Sequence, residues 1–153
     1  MKLEGKVAIV TGGASGLGRA TAAYLKSKGM KVAIFDINVD KGTATEKELG
    51  VLFVKVNLPE EDSVSAAVNM VKDKLGAPQV VVNCAGIPDC NIEIVSPDLK
   101  TVHPTAPWRK IIDINLWGTI NVSKHSALAM ARTAPEASGE RGVIINVASV
   151  AGS

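Results

Sequence analysis

Three glycines set close behind an apolar run carry the clearest chemistry in this sequence. Thr11-Gly12-Gly13-Ala14-Ser15-Gly16-Leu17-Gly18 follows the strand-like Lys6–Val10 and opens a helical pattern. Glycine at 12, 16 and 18 allows a tight turn, close approach of the backbone to a phosphate, and close packing of helix on strand. The free N–H groups and positive dipole end of that helix then favour a pyrophosphate. A Walker A loop would end in Gly-Lys-Ser/Thr, whereas this one continues Gly18-Arg19-Ala20. The plainer alternative is a tight turn without a ligand, although three spaced glycines exceed what a turn needs. Asp36 stands 18 residues after Gly18, at the end of the second strand-like run. A carboxylate there can accept from the hydroxyls of an adenosine ribose and would repel a 2′-phosphate. Neither Ile37 nor Asn38 is an arginine, and Ser15 rather than a basic residue precedes Gly16. The pattern favours NAD over NADP. The alternative for Asp36 is a strand-end residue that caps the next turn.

Such a turn needs a parallel sheet to hold it. Strand-like runs occur at Lys6–Val10, Lys31–Phe35, Val51–Val56, Gln79–Val82 and Gly142–Val147. Several are apolar at nearly every position, as strands covered on both faces should be. Helical patterns fall near Leu17–Lys28, Asp40–Leu49, Glu60–Leu75 and Pro107–Ala131. Gly29 and Gly50 sit where C′ glycines belong, and Gly76 with Pro78 stops the third helix. Strand–helix–strand alternation implies right-handed crossovers and an α/β, doubly wound parallel sheet. Ile87–Ala106 has no clear period and reads as a long loop of the kind that tends to be functional or mobile.

Composition excludes several function classes. The chain has 153 residues, 46% apolar and 21% charged, which suits one folded domain rather than disorder. Seventeen Lys and Arg against 15 Asp and Glu give a net charge of +2 without a basic run, too weak to indicate nucleic acid or an anionic membrane. No apolar stretch approaches the roughly 18 residues of a spanning helix. The first ten residues lack the apolar core and cleavage site of a signal peptide. Two cysteines, Cys84 and Cys90, make no disulfide framework, so an intracellular protein, mitochondrial or cytoplasmic, is expected. Metal-ligand spacing is absent.

Later motifs extend the pattern. Asn83-Cys84-Ala85-Gly86 follows the fourth strand-like run. Asn115 lies within Ile111-Ile112-Asp113-Ile114-Asn115-Leu116-Trp117-Gly118-Thr119, and Asn146-Val147-Ala148-Ser149-Val150-Ala151-Gly152 comes last. Together with the glycine turn, these four motifs resemble those of the short-chain dehydrogenases/reductases over essentially the whole chain. Asn-Cys-Ala-Gly-Ile, the long insert, and Arg-Gly-Val-Ile-Ile-Asn before Ser149 are similar to a subfamily acting on 3-hydroxyacyl-CoA and hydroxysteroids. The resemblance implies an NAD-dependent dehydrogenase that oxidises a secondary hydroxyl. It implies one NAD-binding Rossmann-type domain over residues 1–153, with sheet order 3-2-1-4-5, truncated after strand five. The full-length form would be a homo-oligomer, a tetramer, acting on a small-molecule substrate.

Carried onto this sequence, the resemblance implies that Gly12, Ser15, Gly16, Leu17 and Gly18 cradle the pyrophosphate and that Asp36 reads the ribose. Asn57, with Leu58 beside it, occupies the place where the family usually has an Asp touching the adenine amine, and an Asn carbonyl can still accept that proton. Asn83, Ala85 and Gly86 line the cofactor crevice. Asn115 holds the long helix in the shape that supports a bound water, and Ser149 donates to the substrate carbonyl. On the bare sequence, Asn115 would be a polar face residue and Ser149 a strand-end turn residue.

The family's Tyr-x-x-x-Lys, which moves the proton, is expected beyond Ser149, and these residues stop at Ser153. Tyr24-Leu25-Lys26-Ser27-Lys28 fits that spacing, but it lies well into the first helix, away from the phosphate end. His103 and His125, with no carboxylate–His pattern near them, read as loop or surface residues. Cys84 reads as packing at a buried strand end, and Trp108 and Trp117 as core or interface anchors. The bare fifth strand and uncovered long helix predict a marginal, self-associating protein without turnover. The competing functions are an inactive dinucleotide-binding module or an interaction protein that pairs through its long helix.

Overall fold

Alternating side chains on nearly continuous apolar strands divide the core into two layers. The strands belong to a computed structural model that describes residues 1–88 and 93–149. They are β1 (Val7–Thr11), β2 (Lys31–Asp36), β3 (Leu52–Lys55), β4 (Val80–Asn83) and β5 (Val143–Asn146), all parallel in the order β3-β2-β1-β4-β5. The architecture is the Rossmann-type α/β sheet expected. On one face, Ile9, Phe35, Val54 and Val81 pack with Val64, Ala67, Val68 and Val71 of α3 (Glu61–Leu75) and with Val122 and Met130 of α5 (Gly118–Ala131). On the other, Ala8, Val10, Val32, Ile34, Val80 and Val82 pack with Ala22 and Leu25 of α1 (Gly16–Ser27) and with Leu49 of α2 (Val39–Leu49). Register puts Val10 between Ile34 and Val82, so the carboxyl ends of β1, β2 and β4 meet at one edge. That edge is where α/β sheets bind ligands.

Helix ends follow the glycines. Gly29, Gly50 and Gly76 have φ of +79°, +63° and +109°, values that side chains rarely adopt. The fourth helical pattern is less simple than expected. It begins at Thr105 as α4 (Thr105–Ile112), passes through a π-helical turn at Asp113–Trp117, and continues as α5. Gly118 lets α5 close onto the loop after β3, since a Cβ there would stand 2.8 Å from Leu58 Cβ. Asn121 completes that contact, donating from Nδ2 to the carbonyls of Leu58 at 3.0 Å and Pro59 at 3.3 Å.

Local detail refines the expectations. No helix or strand falls between β4 and α4 among the described residues, as the long loop at 87–106 implied, but part of that loop is ordered. Within it, residues 94–103 fold back as a small hairpin, with a Val95–Val102 bridge and bonds from Ser96 N to Thr101 O and from His103 N to Ile94 O. Trp108 and Trp117 are 40% and 52% exposed, so neither is a core anchor. β5 lies at the sheet edge, with Val143, Ile145 and Val147 exposed. Cys90 and Val150 to Ser153 lie outside the described residues.

His125 does have a carboxylate partner. Its Nε2 lies 3.1 Å from Glu61 Oε1, and Lys124 Nζ lies 2.7 Å from Glu61 Oε2, joining α5 to the first turn of α3. The separation of 64 positions between Glu61 and His125 hid this pair from sequence inspection. Hydrogen bonds from Lys124 first and His125 second hold the Glu61 carboxyl below its ordinary 4.5. A carboxyl whose folded pKa is lowered adds stability above its unfolded pKa and loses it as the pH falls through the folded one. Glu61→Gln should therefore lower the melting temperature slightly at pH 7. The variant and the unmutated chain should converge as the pH falls below 4.5. Identical melting of the two at pH 7 would show that this surface pair contributes nothing.

Candidate functional site

Thr11 closes β1 with a side chain that reaches across the sheet. It is 1% exposed, and its Oγ1 accepts from the backbone N–H of Cys84 at 3.1 Å and of Ala85 at 3.0 Å. The end of β4 is thereby locked beside the glycine turn. Gly12 follows with φ +64°, and a Cβ on it would stand 3.0 Å from the Ala85 Cα. A Cβ on Gly18 would overlap the Gly12 carbonyl. Two of the three glycines are thus demanded by packing, while Gly16, at φ +50°, has open space around it and serves the turn. α1 starts at Gly16 with Ser15 as its N-cap. Ser15 makes no side-chain cap bond, and the first turn carries no acidic residue. The N–H groups of that turn therefore face an edge with no carboxylate of their own helix.

Asp36 serves the turn and the edge together. Its Oδ2 accepts from Ala14 N at 3.1 Å and its Oδ1 from Asn38 N at 3.0 Å. The strand-end capping role is therefore real, and it orients the carboxylate within the crevice that the glycine turn borders. Each oxygen has a second lone pair for a hydroxyl donor.

The crevice has a volume of about 620 Å³, within the range of small-molecule and cofactor sites. Gly12, Ser15, Gly16, Leu17 and Gly18 line it, as do Asp36, Asn57, Leu58, Ala85 and Gly86. Ten of the sequence-derived positions therefore converge on one cavity, from four separate loops. Leu17 is 72% exposed, an apolar surface at the mouth with no protein partner of comparable extent. Asn57 donates from Nδ2 to Glu60 Oε1 at 2.7 Å, which leaves its carbonyl oxygen as the acceptor available to a ligand. The close-packed glycines and the fixed carboxylate fit a dinucleotide, whose pyrophosphate needs near-bare backbone and whose ribose needs an acceptor.

Asn83 departs from its expected place. It is not among the crevice residues but is 4% exposed, donating from Nδ2 to Asn146 Oδ1 at 2.8 Å and Ser123 Oγ at 3.2 Å. It ties β4 to β5 and α5 in the interior, because the last residue of β4 points its side chain across the sheet rather than out of its end. Cys84, expected as packing, is partly buried against the core on one side and also lines the crevice, with its thiol in no disulfide. Burial pushes that thiol up, against a smaller lowering from its Thr21 hydrogen bond. Ile37, Ile87, Lys110 and Ile114 also line the crevice and were not singled out from sequence. Lys110 and Ile114 share one helix face at the i, i+4 spacing, but only the tertiary fold brings that face to the sheet edge.

Asn115, in the π-helical turn, makes a reciprocal pair with one residue. Its Oδ1 accepts from Ile87 N at 2.9 Å and its Nδ2 donates to Ile87 O at 2.9 Å. Its amide is therefore engaged in holding the segment after β4 against the long helix. Ser149 is exposed and follows β5, two residues past the Val147 N–H that donates to Asn83 O at 3.0 Å. It stands at the same edge of the sheet but not among the crevice residues. Tyr24 is 59% exposed on α1, with Lys28 Nζ 5.1 Å from its ring centroid, and lies outside the crevice. His103 is engaged in the insert, with Nδ1 2.7 Å from Pro104 O and its ring edge-on to Trp108. No group of three His, Cys, Asp or Glu among the described residues could hold a metal.

Comparison with known proteins agrees with this geometry. The family model described as short chain dehydrogenase matches residues 6–153. The chain is 42% identical to the 3-hydroxyacyl-CoA dehydrogenase type-2 of Drosophila melanogaster over 151 residues, 97% of this chain and 59% of that protein. It is 39% identical to the Homo sapiens protein of the same name over 153 residues, covering 97% and 58%. The crystal structure of 3-hydroxyacyl-CoA dehydrogenase type-2 from Mycobacterium avium superposes with a TM-score of 0.91 at 37% identity, covering 99% of this chain and 60% of that one. The chain thus spans a little under three fifths of the length of these curated relatives. With the family model matched over nearly every residue and the sheet, glycine turn and crevice in place, this chain belongs to the short-chain dehydrogenase family.

Proposed function

We propose that the crevice binds NAD and that the protein is an NAD-dependent dehydrogenase of a secondary alcohol. The observation that carries this reading is the Asp36 carboxylate, fixed by the Ala14 and Asn38 amides inside the crevice that the glycine turn borders. The relatives named 3-hydroxyacyl-CoA dehydrogenase type-2 support a 3-hydroxyacyl-CoA as substrate, with a hydroxysteroid as the other alcohol considered. When bound, the nicotinamide supplies the acceptor for the hydride that an alcohol loses as it becomes a ketone.

The residues of this chain would bind and orient. Gly12, Gly16 and Gly18 leave room for phosphate oxygens against the N–H groups at the start of α1. Asp36 would accept from the ribose hydroxyls, and the Asn57 carbonyl, freed by the Glu60 contact, would accept from the adenine amine. Leu17, Leu58, Ala85 and Gly86 would exclude water around the cofactor. Asn83 would act from behind, by holding β4 to β5. Asn115 would act as a positioning residue through Ile87, and Ser149 Oγ would donate to the substrate oxygen, where charge develops in the transition state.

Incubation with NAD and a 3-hydroxyacyl-CoA tests the activity: NADH production supports the dehydrogenase, and cofactor binding without NADH production supports a dinucleotide-binding module instead.

Fluorescence titration should show NADH bound more tightly than NADPH. Asp36→Ala should weaken both by releasing the Ala14 amide, yet narrow the difference between them by about 1–3 kcal/mol, the scale of a hydrogen bond to a charged group. Equal affinity for the two cofactors in the unmutated chain would remove the ribose role of Asp36. In the protein that carries out turnover, Ser149→Ala should lower kcat/KM by about 10²–10³-fold with NADH affinity nearly unchanged. Unaltered turnover would remove the donor role.

A further inference from the structure

Among the described residues that line the crevice, Asp36 is the only acidic one and Lys110 on α4 the only basic one. No carboxylate among the described residues pairs with the Lys110 ammonium. Arg19, the cation next to the glycine turn, is engaged elsewhere, with Nη2 2.5 Å from Glu48 Oε1 on α2. The turn itself offers only amides and the partial charge of a helix end, equivalent to about half an elementary charge. A dinucleotide brings a pyrophosphate with two negative charges, and Asp36 adds a third to the same cavity.

We propose that Lys110 is a cofactor-binding residue: its ammonium supplies the full positive charge that offsets Asp36 and favours a pyrophosphate-bearing ligand in the crevice. Its place one turn ahead of Ile114, on the same crevice wall, keeps its aliphatic stem beside the cofactor's apolar surroundings while the charged end stays hydrated. A partly solvated charge of this kind acts over several ångströms and is screened by salt. Lys110 therefore makes cofactor affinity depend on ionic strength. This inference rests on the cofactor reading above.

The test is titration of the 153-residue chain with NADH at low and high ionic strength, for the unmutated protein and three variants. Lys110→Met keeps an unbranched apolar stem and removes the charge. Lys110→Arg keeps the charge. Arg109→Gln removes one positive charge from the preceding, exposed position on the same helix, which does not line the crevice, and so controls for net charge. The expected result is a loss of about three- to tenfold in affinity for Lys110→Met at low salt, shrinking to less than about twofold near 0.5 M salt. Lys110→Arg should stay near the unmutated value, and Arg109→Gln should change little. Lys110→Met matching Arg109→Gln would overturn the inference while leaving the cofactor reading intact, as would a loss that salt does not diminish. Absence of NADH binding by the unmutated, folded chain would overturn both.

Discussion

A single buried hydroxyl holds the ligand-facing edge of this protein together. Thr11 Oγ1 accepts from two successive amides, those of Cys84 and Ala85, at the point where β4 ends and its backbone would otherwise leave the sheet unpaired. The second strand crossing is thereby kept against the glycine turn, and Gly12 packs so tightly on Ala85 that a side chain would have no room. Asp36 makes the corresponding tie on the other side, from β2 to Ala14. The turn is thus anchored to both neighbouring strand ends by side chains that are themselves fixed. A site that must recognise charge gains from such rigidity, because fixed dipoles need no reorganisation when the ligand arrives.

The long helix answers a second constraint. Its two halves must meet different loops, the one after β4 and the one after β3. Asn115 faces Ile87, whereas Gly118 and Asn121 face Leu58 and Pro59. The π-helical turn at Asp113–Trp117 carries Asn115 and ends directly before Gly118. Its wider turn changes the phase of the helix between the two sets of contacts, and such turns are frequent at functional sites. The placement of Lys110 and Ile114 in the crevice belongs to the first half.

The sheet was legible because its central strands are covered on both faces and so are apolar at almost every position, and because glycine ends three helices with positive φ. The glycine turn and Asp36 were legible because bare backbone and a strand-end carboxylate leave strong local marks. What stayed hidden depends on distance along the chain. The Thr11 link joins residues 73 and 74 apart, and the Glu61–His125 contact spans 64, with no local pattern to announce either. Asn83 shows the same limit in reverse. Its type and motif pointed to the crevice, but pleating turned it inward to Asn146 and Ser123. The hairpin at residues 94–103 was obscured by the lack of alternation, since only Val95 and Val102 form its bridge.

The central claim is that a dinucleotide seats its pyrophosphate on the glycine turn. Amide chemical-shift mapping on the isotopically labelled chain during NADH titration tests it most directly. The account predicts that the largest changes fall on Gly12, Ser15, Gly16, Leu17 and Gly18, followed by Ile37, Leu58, Ala85 and Gly86. Changes centred on the hairpin at residues 94–103, or scattered without the glycine turn, would contradict it.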